Sequence, residues 1–365
     1  MKRLAIAIPF AAALCAAAPL AMDSTRGKEI FETHGCVQCH GLNGAGGTVG
    51  PDLGKIVDRG FTPAMLAATM WNHAPQMWAA MRARNFERQT LTEQQAADLF
   101  AAFYAAHYFD TPADAARGKA VFVADSCSRC HGLQQSPLPR ATPVSRWSTL
   151  GHSVALVASM WNHAATMQAE MAKQNIEWPK LNGQNIADLL VYLRNLPGSP
   201  RPSSEFRITA GEEGEKLFQT KGCESCHEVG ALQMQGMPLD DVAASMWDHA
   251  NRLKTARLSI SSAEMSALLG YVWASQFFRD TGNPARGAKV FAARHCVQCH
   301  GVAGSGAPDL KAHAGSYDGI VIVSALWRHG PSMLEQMNQK GIRWPEFRLR
   351  EMADLIAWLN AGKGK

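Results

Sequence analysis

Apolar residues along this chain recur at helical spacing. Ile186, Leu189, Leu190 and Leu193 form an i, i+3, i+4, i+7 stripe, the mark of a helix with one buried face. Asp98-Leu99, Asp188-Leu189 and Asp354-Leu355, each preceded by Ala, sit at matching places in three such stretches, so the same closing helix is expected again and again. Thr92…Gln95 and Ser261…Glu264 have the spacing of capping boxes, in which a side chain and a backbone N–H at each end satisfy one another, and they open this helix in two places. A second helical face is rich in Met: Met70-Trp71-Asn72-His73…Met77…Met81, Met160-Trp161-Asn162-His163…Met167…Met171, and Leu326-Trp327-Arg328-His329…Met333…Met337. The expected class is all-α.

The N-terminus reads differently. Lys2-Arg3 followed by the apolar run Leu4–Ala18 has the charge and length of a secretory signal peptide, too short for a membrane span. Residues 1–22 are taken as that leader, with cleavage near Ala18–Met22. Leu14 stands where a lipoprotein signal would place a small residue ahead of Cys15, which argues against lipidation. No later stretch is long and apolar enough to cross a membrane, so export to the periplasm is expected.

Cysteine brings in the chemistry. Of nine cysteines, eight lie in four copies of Cys-x-x-Cys-His: Cys36, Cys39 and His40; Cys127, Cys130 and His131; Cys223, Cys226 and His227; Cys296, Cys299 and His300. This is the attachment pattern of c-type haem, two thiols for thioether bonds to the porphyrin and the next residue to place an imidazole under the iron. Structural zinc would need a second pair of soft ligands close to the first, and each motif stands dozens of residues from the next. Four motifs imply four covalently bound haem c groups. Ahead of every motif, Gly stands nine residues and Phe five residues before the first Cys: Gly27 and Phe31, Gly118 and Phe122, Gly214 and Phe218, Gly287 and Phe291. The residue before that Gly is Arg26, Arg117, Glu213 or Arg286. This is an internal repeat, a short amphipathic helix whose Phe packs on a partner helix or on the haem edge.

The copies alternate. Copies one and three run on through Tyr108-Phe109-Asp110-Thr111-Pro112 and Phe277-Phe278-Arg279-Asp280-Thr281, whereas copies two and four carry Trp178-Pro179 and Trp344-Pro345. An A-B-A-B order suggests a duplicated dihaem unit, with the Pro/Ser-rich stretch Pro197–Ser204 as the linker between halves. The expected domains are 23–110, 111–198, 199–280 and 281–365. Net charge is +5, or +3 once Lys2 and Arg3 are removed, and the haem propionates lower it further. Neither a nucleic-acid partner nor a basic membrane-binding block is supported.

With these residues in view, each copy resembles a class I cytochrome c domain: helix, Cys-x-x-Cys-His-Gly, a loop, and a last helix crossing the first. Gly50-Pro51-Asp52-Leu53 and Pro308-Asp309-Leu310 match the family segment whose Pro carbonyl accepts a hydrogen bond from the motif His, with Pro139 and Pro238 as looser counterparts. The resemblance also implies a Met on the far side of the iron. Met81, Met171 and Met337 each lie seventeen residues before the Asp of the last helix and are preferred to Met77, Met167 and Met333, which stay open. For His73, His163 and His329 a structural or propionate role is expected. The indoles of Trp71, Trp161, Trp247 and Trp327 either donate to haem propionates or simply pack. Copy three departs: it keeps Met246-Trp247-Asp248-His249 but has Leu253 and Arg257 at the Met positions. There His249 is the first candidate for sixth ligand, Met234, Met237 or Met265 a second, and a five-coordinate iron a third.

The resemblance implies a periplasmic tetrahaem cytochrome passing single electrons between redox proteins, with a membrane oxidoreductase among the conceivable partners. The alternative is a haem oxidoreductase, peroxidase-like or a small-molecule dehydrogenase, with the third haem as active site.

Overall fold

The computed structural model describes residues 21–55, 61–107, 113–199, 208–232, 237–250, 252, 258–277, 282–348 and 350–362. Twelve α-helices dominate these residues, with only four two-residue strands beside them. Each copy opens on a short helix: α1 (Ser24–Thr33), α4 (Ala115–Ala124), α7 (Glu212–Thr220) and α10 (Pro284–Ala293). Each has a middle helix: α2 (Pro63–Ala83), α5 (Ser153–Lys173), α8 (Leu239–Ala250) and α11 (Gly319–Gln339). Each closes on a third: α3 (Glu93–His107), α6 (Gly183–Arg194), α9 (Ser262–Phe277) and α12 (Glu351–Asn360).

The recurring Gly of the sequence repeat is where first and last helices cross. A Cβ at Gly27, Gly118, Gly214 or Gly287 would collide with the backbone carbonyl of Asp98, Asp188, Ala267 or Asp354 respectively. Only a residue without a side chain lets the backbones approach so closely. One turn on, the buried Phe meets an aromatic ring of the last helix: Phe31 with Phe103 at 6.1 Å, Phe122 with Tyr192 at 5.8 Å, Phe218 with Tyr271 at 5.8 Å, and Phe291 with Trp358 at 4.5 Å. The helix is thus a partner of this Phe in every copy.

In copies one, two and four an ion pair locks the same crossing. Arg26 holds Asp98 through Nε and Nη2 at 3.0 and 2.8 Å, Arg117 holds Asp188 at 2.8 and 2.8 Å, and Arg286 holds Asp354 at 2.7 and 2.9 Å. Each of these buried carboxylates also accepts a backbone N–H from Asp23, Asp114 or Asn283, the residue that caps the first helix. The forked Arg–carboxylate geometry suits this task because two parallel N–H···O bonds fix angle as well as distance. Arg286 hydrogen bonding holds the Asp354 carboxyl below its usual range, against the opposing effect of burial. Copy three has Glu213 and Ala267 at these two positions and Gly211 ahead of its helix, so both members of the pair and the cap are replaced together.

Copies adjacent in sequence are not the only ones that pack. Among the described residues, α2 of copy one packs on α11 and α12 of copy four, while α5 and α6 of copy two pack on α8 and α9 of copy three. The Trp indoles make these joints. Trp71 donates to the Pro345 carbonyl at 2.8 Å and Trp327 to that of Gln89 at 2.9 Å, between copies one and four. Trp247 donates to Pro179 and Trp161 to Leu258, each at 3.0 Å, between copies three and two. All four indole N–H groups are committed to backbone carbonyls of another copy, and none is left for a propionate. Pro75 inside α2 removes the helical donor to the Trp71 carbonyl, which accepts instead from Trp344 Nε1 at 3.0 Å. Stacked pairs Trp71–Trp344 (4.9 Å) and Trp178–Trp247 (4.1 Å) complete the two joints.

Copies one and three meet around a local two-fold. Met22 pairs with Ala210 and Asp23 with Thr209 in an antiparallel two-residue ladder. Tyr104 and Trp273 hold equivalent places, six residues after Asp98 and Ala267, and their rings lie 4.2 Å apart. Met22 is 1 % exposed, and the Ala21 carbonyl accepts from Arg26 and Gln94. These two residues therefore pack on copy one. The leader itself, the connectors 108–112 and 278–281, and most of the linker 200–204 lie outside the described residues.

Candidate haem sites

The four motifs fold alike. A single tight helical turn runs over Cys36–Gln38, Cys127–Arg129, Cys223–Ser225 and Cys296–Gln298. In each, the His N–H bonds back to the first Cys carbonyl at 2.9 Å. The residue before the turn is left-handed in every copy: Gly35 (φ 73°), Ser126 (62°), Gly222 (77°) and His295 (62°). Two of these are not glycine, a conformation that costs local strain and is kept where surrounding structure demands it. Burial pushes the first thiol up, to about 11 for Cys36 and Cys296 and about 12 for Cys127.

The ring of the motif His is oriented by a carbonyl. His40 Nδ1 donates to Pro51 O at 3.0 Å, His300 to Pro308 O at 2.9 Å and His131 to Thr142 O at 3.1 Å. A carbonyl can only accept, so Nδ1 carries the proton and Nε2 keeps its lone pair for a metal. Pro51 and Pro308 are the expected partners; in copy two the place is taken by Thr142 rather than Pro139, and Trp147 Nε1 donates to the same oxygen at 3.0 Å. Pro238 makes no such contact, and His227 has no carbonyl partner among the described residues. The Pro51 loop is itself fixed, since the Asp52 carboxylate accepts from the backbone of Asn43, Gly44 and Gly54 at 2.9, 2.6 and 2.9 Å. Gly50 lies so close under the His40 ring that a Cβ there would strike it.

Opposite the motif His stands the middle helix. In copy two a cleft is lined by Cys127, Cys130 and His131 on one side and by His163, Met167 and Met171 on the other. His, Met and Met at i, i+4 and i+8 share one face of α5, as the sequence spacing requires. The three long helices end identically: Phe86, Ile176 and Ile342 donate to the carbonyls of Met81, Met171 and Met337 at 2.9, 2.9 and 2.8 Å, past a left-handed Asn85, Asn175 or Gly341. This is a Schellman-type close, and it gives these three Met residues the same place in the last turn.

The His of the middle helix is nearer the motif than the sequence suggested. His73 faces His40 and His163 faces His131 with ring centroids 6.2 Å apart, and His249 faces His227 at 5.4 Å. Burial lowers the pKa of His73 and His249, with the facing imidazole adding to it, so both favour the neutral, ligating form. His329 of copy four is exposed. In copy three α8 ends at Ala250, Met265 is fully buried in α9, Met237 is half-buried, and Met234, Leu253 and Arg257 lie outside the described residues. Two features escaped sequence reasoning: the Arg–Asp lock, although both of its members recur in register along the chain, and the facing His pairs, whose signal was the recurrent Trp-x-His.

The residues present fit a haem group. Each motif joins two thiols and an imidazole, with Nε2 left for a metal in His40, His131 and His300, and copy two shows an apolar cleft lined by Met and His side chains. Among the described residues no helix is long and apolar enough to cross a membrane. One curated relative, a nitric oxide reductase subunit from Stutzerimonas stutzeri, is 38 % identical over 79 residues, which is 20 % of this chain and 51 % of the relative. The chain thus spans about half the length of the curated relative it matches. No solved structure matches the chain. The family described as "Cytochrome c" matches three separate stretches, residues 24–101, 115–197 and 284–363, well over half of the chain. This chain belongs to the cytochrome c family, whose domains imply covalently bound haem c and electron transfer.

Proposed function

We propose that the chain is an exported, periplasmic tetrahaem cytochrome that carries single electrons between redox proteins. The observation that carries this reading is the fourfold motif turn, with the same His N–H to Cys carbonyl bond of 2.9 Å in every copy, copy three included. Four haem domains follow, 23–110, 111–198, 199–280 and 281–365, behind a leader of residues 1–22. The two Cys of each motif, the first of them half-buried, hold the porphyrin; His40, His131, His227 and His300 hold the iron. Bound haem c supplies a one-electron Fe(III)/Fe(II) couple, and the protein sets its potential through the second axial ligand and burial. The family match and the reductase component among its relatives support redox partners, a membrane oxidoreductase among them.

For the sixth ligand, Met81, Met171 and Met337 are proposed in copies one, two and four, and His249 in copy three. The facing rings at 6.2 Å favour a second reading for copies one and two, His73 and His163. Met ligation raises the potential relative to bis-His, so copy three would be the low-potential member. The test is a haem count per chain by alkaline pyridine spectra, followed by carbon monoxide titration of the reduced protein. Four haems and no prompt binding are expected; three haems would remove copy three from the chain of carriers, and prompt binding to one haem in four would favour the enzyme reading. Met81→Ala and His73→Ala then separate the two ligands, since only the ligating one makes a haem accessible to carbon monoxide.

A further inference from the structure

The order of the copies in space differs from their order in sequence. Copy four joins copy one through Trp71, Trp327 and Trp344. Copy one joins copy three through the Met22–Ala210 ladder and the Tyr104–Trp273 contact. Copy three joins copy two through Trp247, Trp161 and the stacked Trp178. No element of copy one packs extensively on copy two, nor copy three on copy four, nor copy two on copy four, among the described residues. The joints are also exchanged in matching pairs. Trp71 to Pro345 corresponds to Trp247 to Pro179, and Trp327 to Gln89 corresponds to Trp161 to Leu258. A two-fold passing between Tyr104 and Trp273 thus relates copy one to copy three and copy four to copy two.

Charge divides the molecule in the same way. Copies two and four carry eight and eleven Lys and Arg against five and six Asp and Glu; copies one and three carry seven and eight against nine and eleven. The outer copies are basic and the inner copies acidic.

We infer that electrons cross this protein in the order four, one, three, two, with the basic copies two and four as its ends and the Tyr104–Trp273 joint at its middle. The inference rests on the tetrahaem reading above. Tunnelling falls off steeply with distance, so the packed pairs define the fast steps and sequence order does not. In each step one Fe(II) haem is oxidised as its packed neighbour is reduced from Fe(III), and no bond is made or broken. Because copies two and four present net positive charge, partners that meet the ends with acidic surfaces are favoured electrostatically.

The test injects an electron at one end. Val302 is 47 % exposed and two residues past His300; a Val302→Cys protein labelled with a thiol-reactive ruthenium photosensitiser, with a sacrificial amine as the electron source, reduces haem four by flash. Haem one is deleted with Cys36→Ala/Cys39→Ala, and haem three with Cys223→Ala/Cys226→Ala. The expected result is reciprocal. Loss of haem one cuts the redistribution phase after injection at least tenfold, whereas loss of haem three leaves the first redistribution step in place. The reverse, redistribution blocked by loss of haem three and preserved without haem one, is transfer in chain order and overturns the route. Should either deletion fail to fold, the intact protein decides through an NMR-monitored redox titration. Its largest pairwise interactions must fall between haems four and one, one and three, and three and two; largest interactions between one and two and between three and four overturn it. A haem count below four, or no reduction of haem four in the labelled parent, marks failure of the tetrahaem reading itself and removes the route with it.

Discussion

Copy three and the other three copies share a scaffold and differ in how it is locked. In all four, a Gly allows the first and last helices to touch and a Phe packs under an aromatic of the last helix. Among the described residues, only copies one, two and four add the Arg–Asp fork and a side-chain cap on the first helix. Copy three lacks the fork and the side-chain cap together, and it lies outside the three family matches. Close approach of two helices is therefore the indispensable part of the unit, and the ion pair is an addition. Trp247 and Met265 of copy three are 0 % exposed and Trp273 is 1 % exposed. Copy one also packs on two neighbours and keeps its fork, so position among the copies does not account for the missing lock.

This comparison can be broken at several points. The largest effect is expected from Gly287→Ala, which sets a methyl against the Asp354 carbonyl and costs ~2–3 kcal/mol through displaced helices. Gly214→Ala in copy three should cost as much; a harmless Gly214→Ala would show that the crossing is not common to all four. Thermal melts and haem content of the purified variants measure both. Next comes Asp188→Ala, which removes the acceptor of the Arg117 fork and leaves the Asp114 N–H without its carboxylate, for about 1–2 kcal/mol. The joint change Glu213→Arg with Ala267→Asp in copy three should recover part of such a value if the lock is portable, read as a rise in melting temperature.

A smaller effect, about 1 kcal/mol, is expected of Trp247→Phe, which keeps the stack on Trp178 but loses the hydrogen bond to Pro179. Trp71→Phe should match it at the other joint, and a tenfold difference in the two unfolding constants would argue against equivalent joints. The smallest is a pH effect. The carboxyl of Asp354 is held below its unfolded value by Arg286, and that of Asp188 is lowered by Arg117 in spite of burial. Stability from these pairs is therefore present above the unfolded value of about 3.9 and is lost as pH falls through the lower folded values. Acid titration of copies two and four by circular dichroism should show this loss, Asp354→Asn should flatten it, and copy three should lack it.

Much of the site was legible because it is local. The Cys-x-x-Cys-His turn, the Gly and Phe ahead of it, and the capping boxes at Thr92/Gln95 and Ser261/Glu264 are all short-range patterns. The structure shows those capping bonds at 2.9 and 3.2 Å, and at 2.7 and 3.2 Å. The role of the Trp indoles was not legible, because each acceptor lies between 68 and 274 residues away in sequence. Nor was Thr142 as the partner of His131, since a backbone carbonyl leaves no trace in residue type. Facing His pairs fell between these cases: the residues recur, but their distance depends on how the middle helix lies across the motif.

By itself, then, the sequence determined what each copy is: helical periodicity, the ligand set and the tight crossing depend on residues close together or on residue types only one chemistry explains. Tertiary structure decided which copies are neighbours. Joints made of indole-to-carbonyl bonds and stacked rings use backbone groups that every residue carries, so their specificity resides in shape after folding and not in any pattern along the chain.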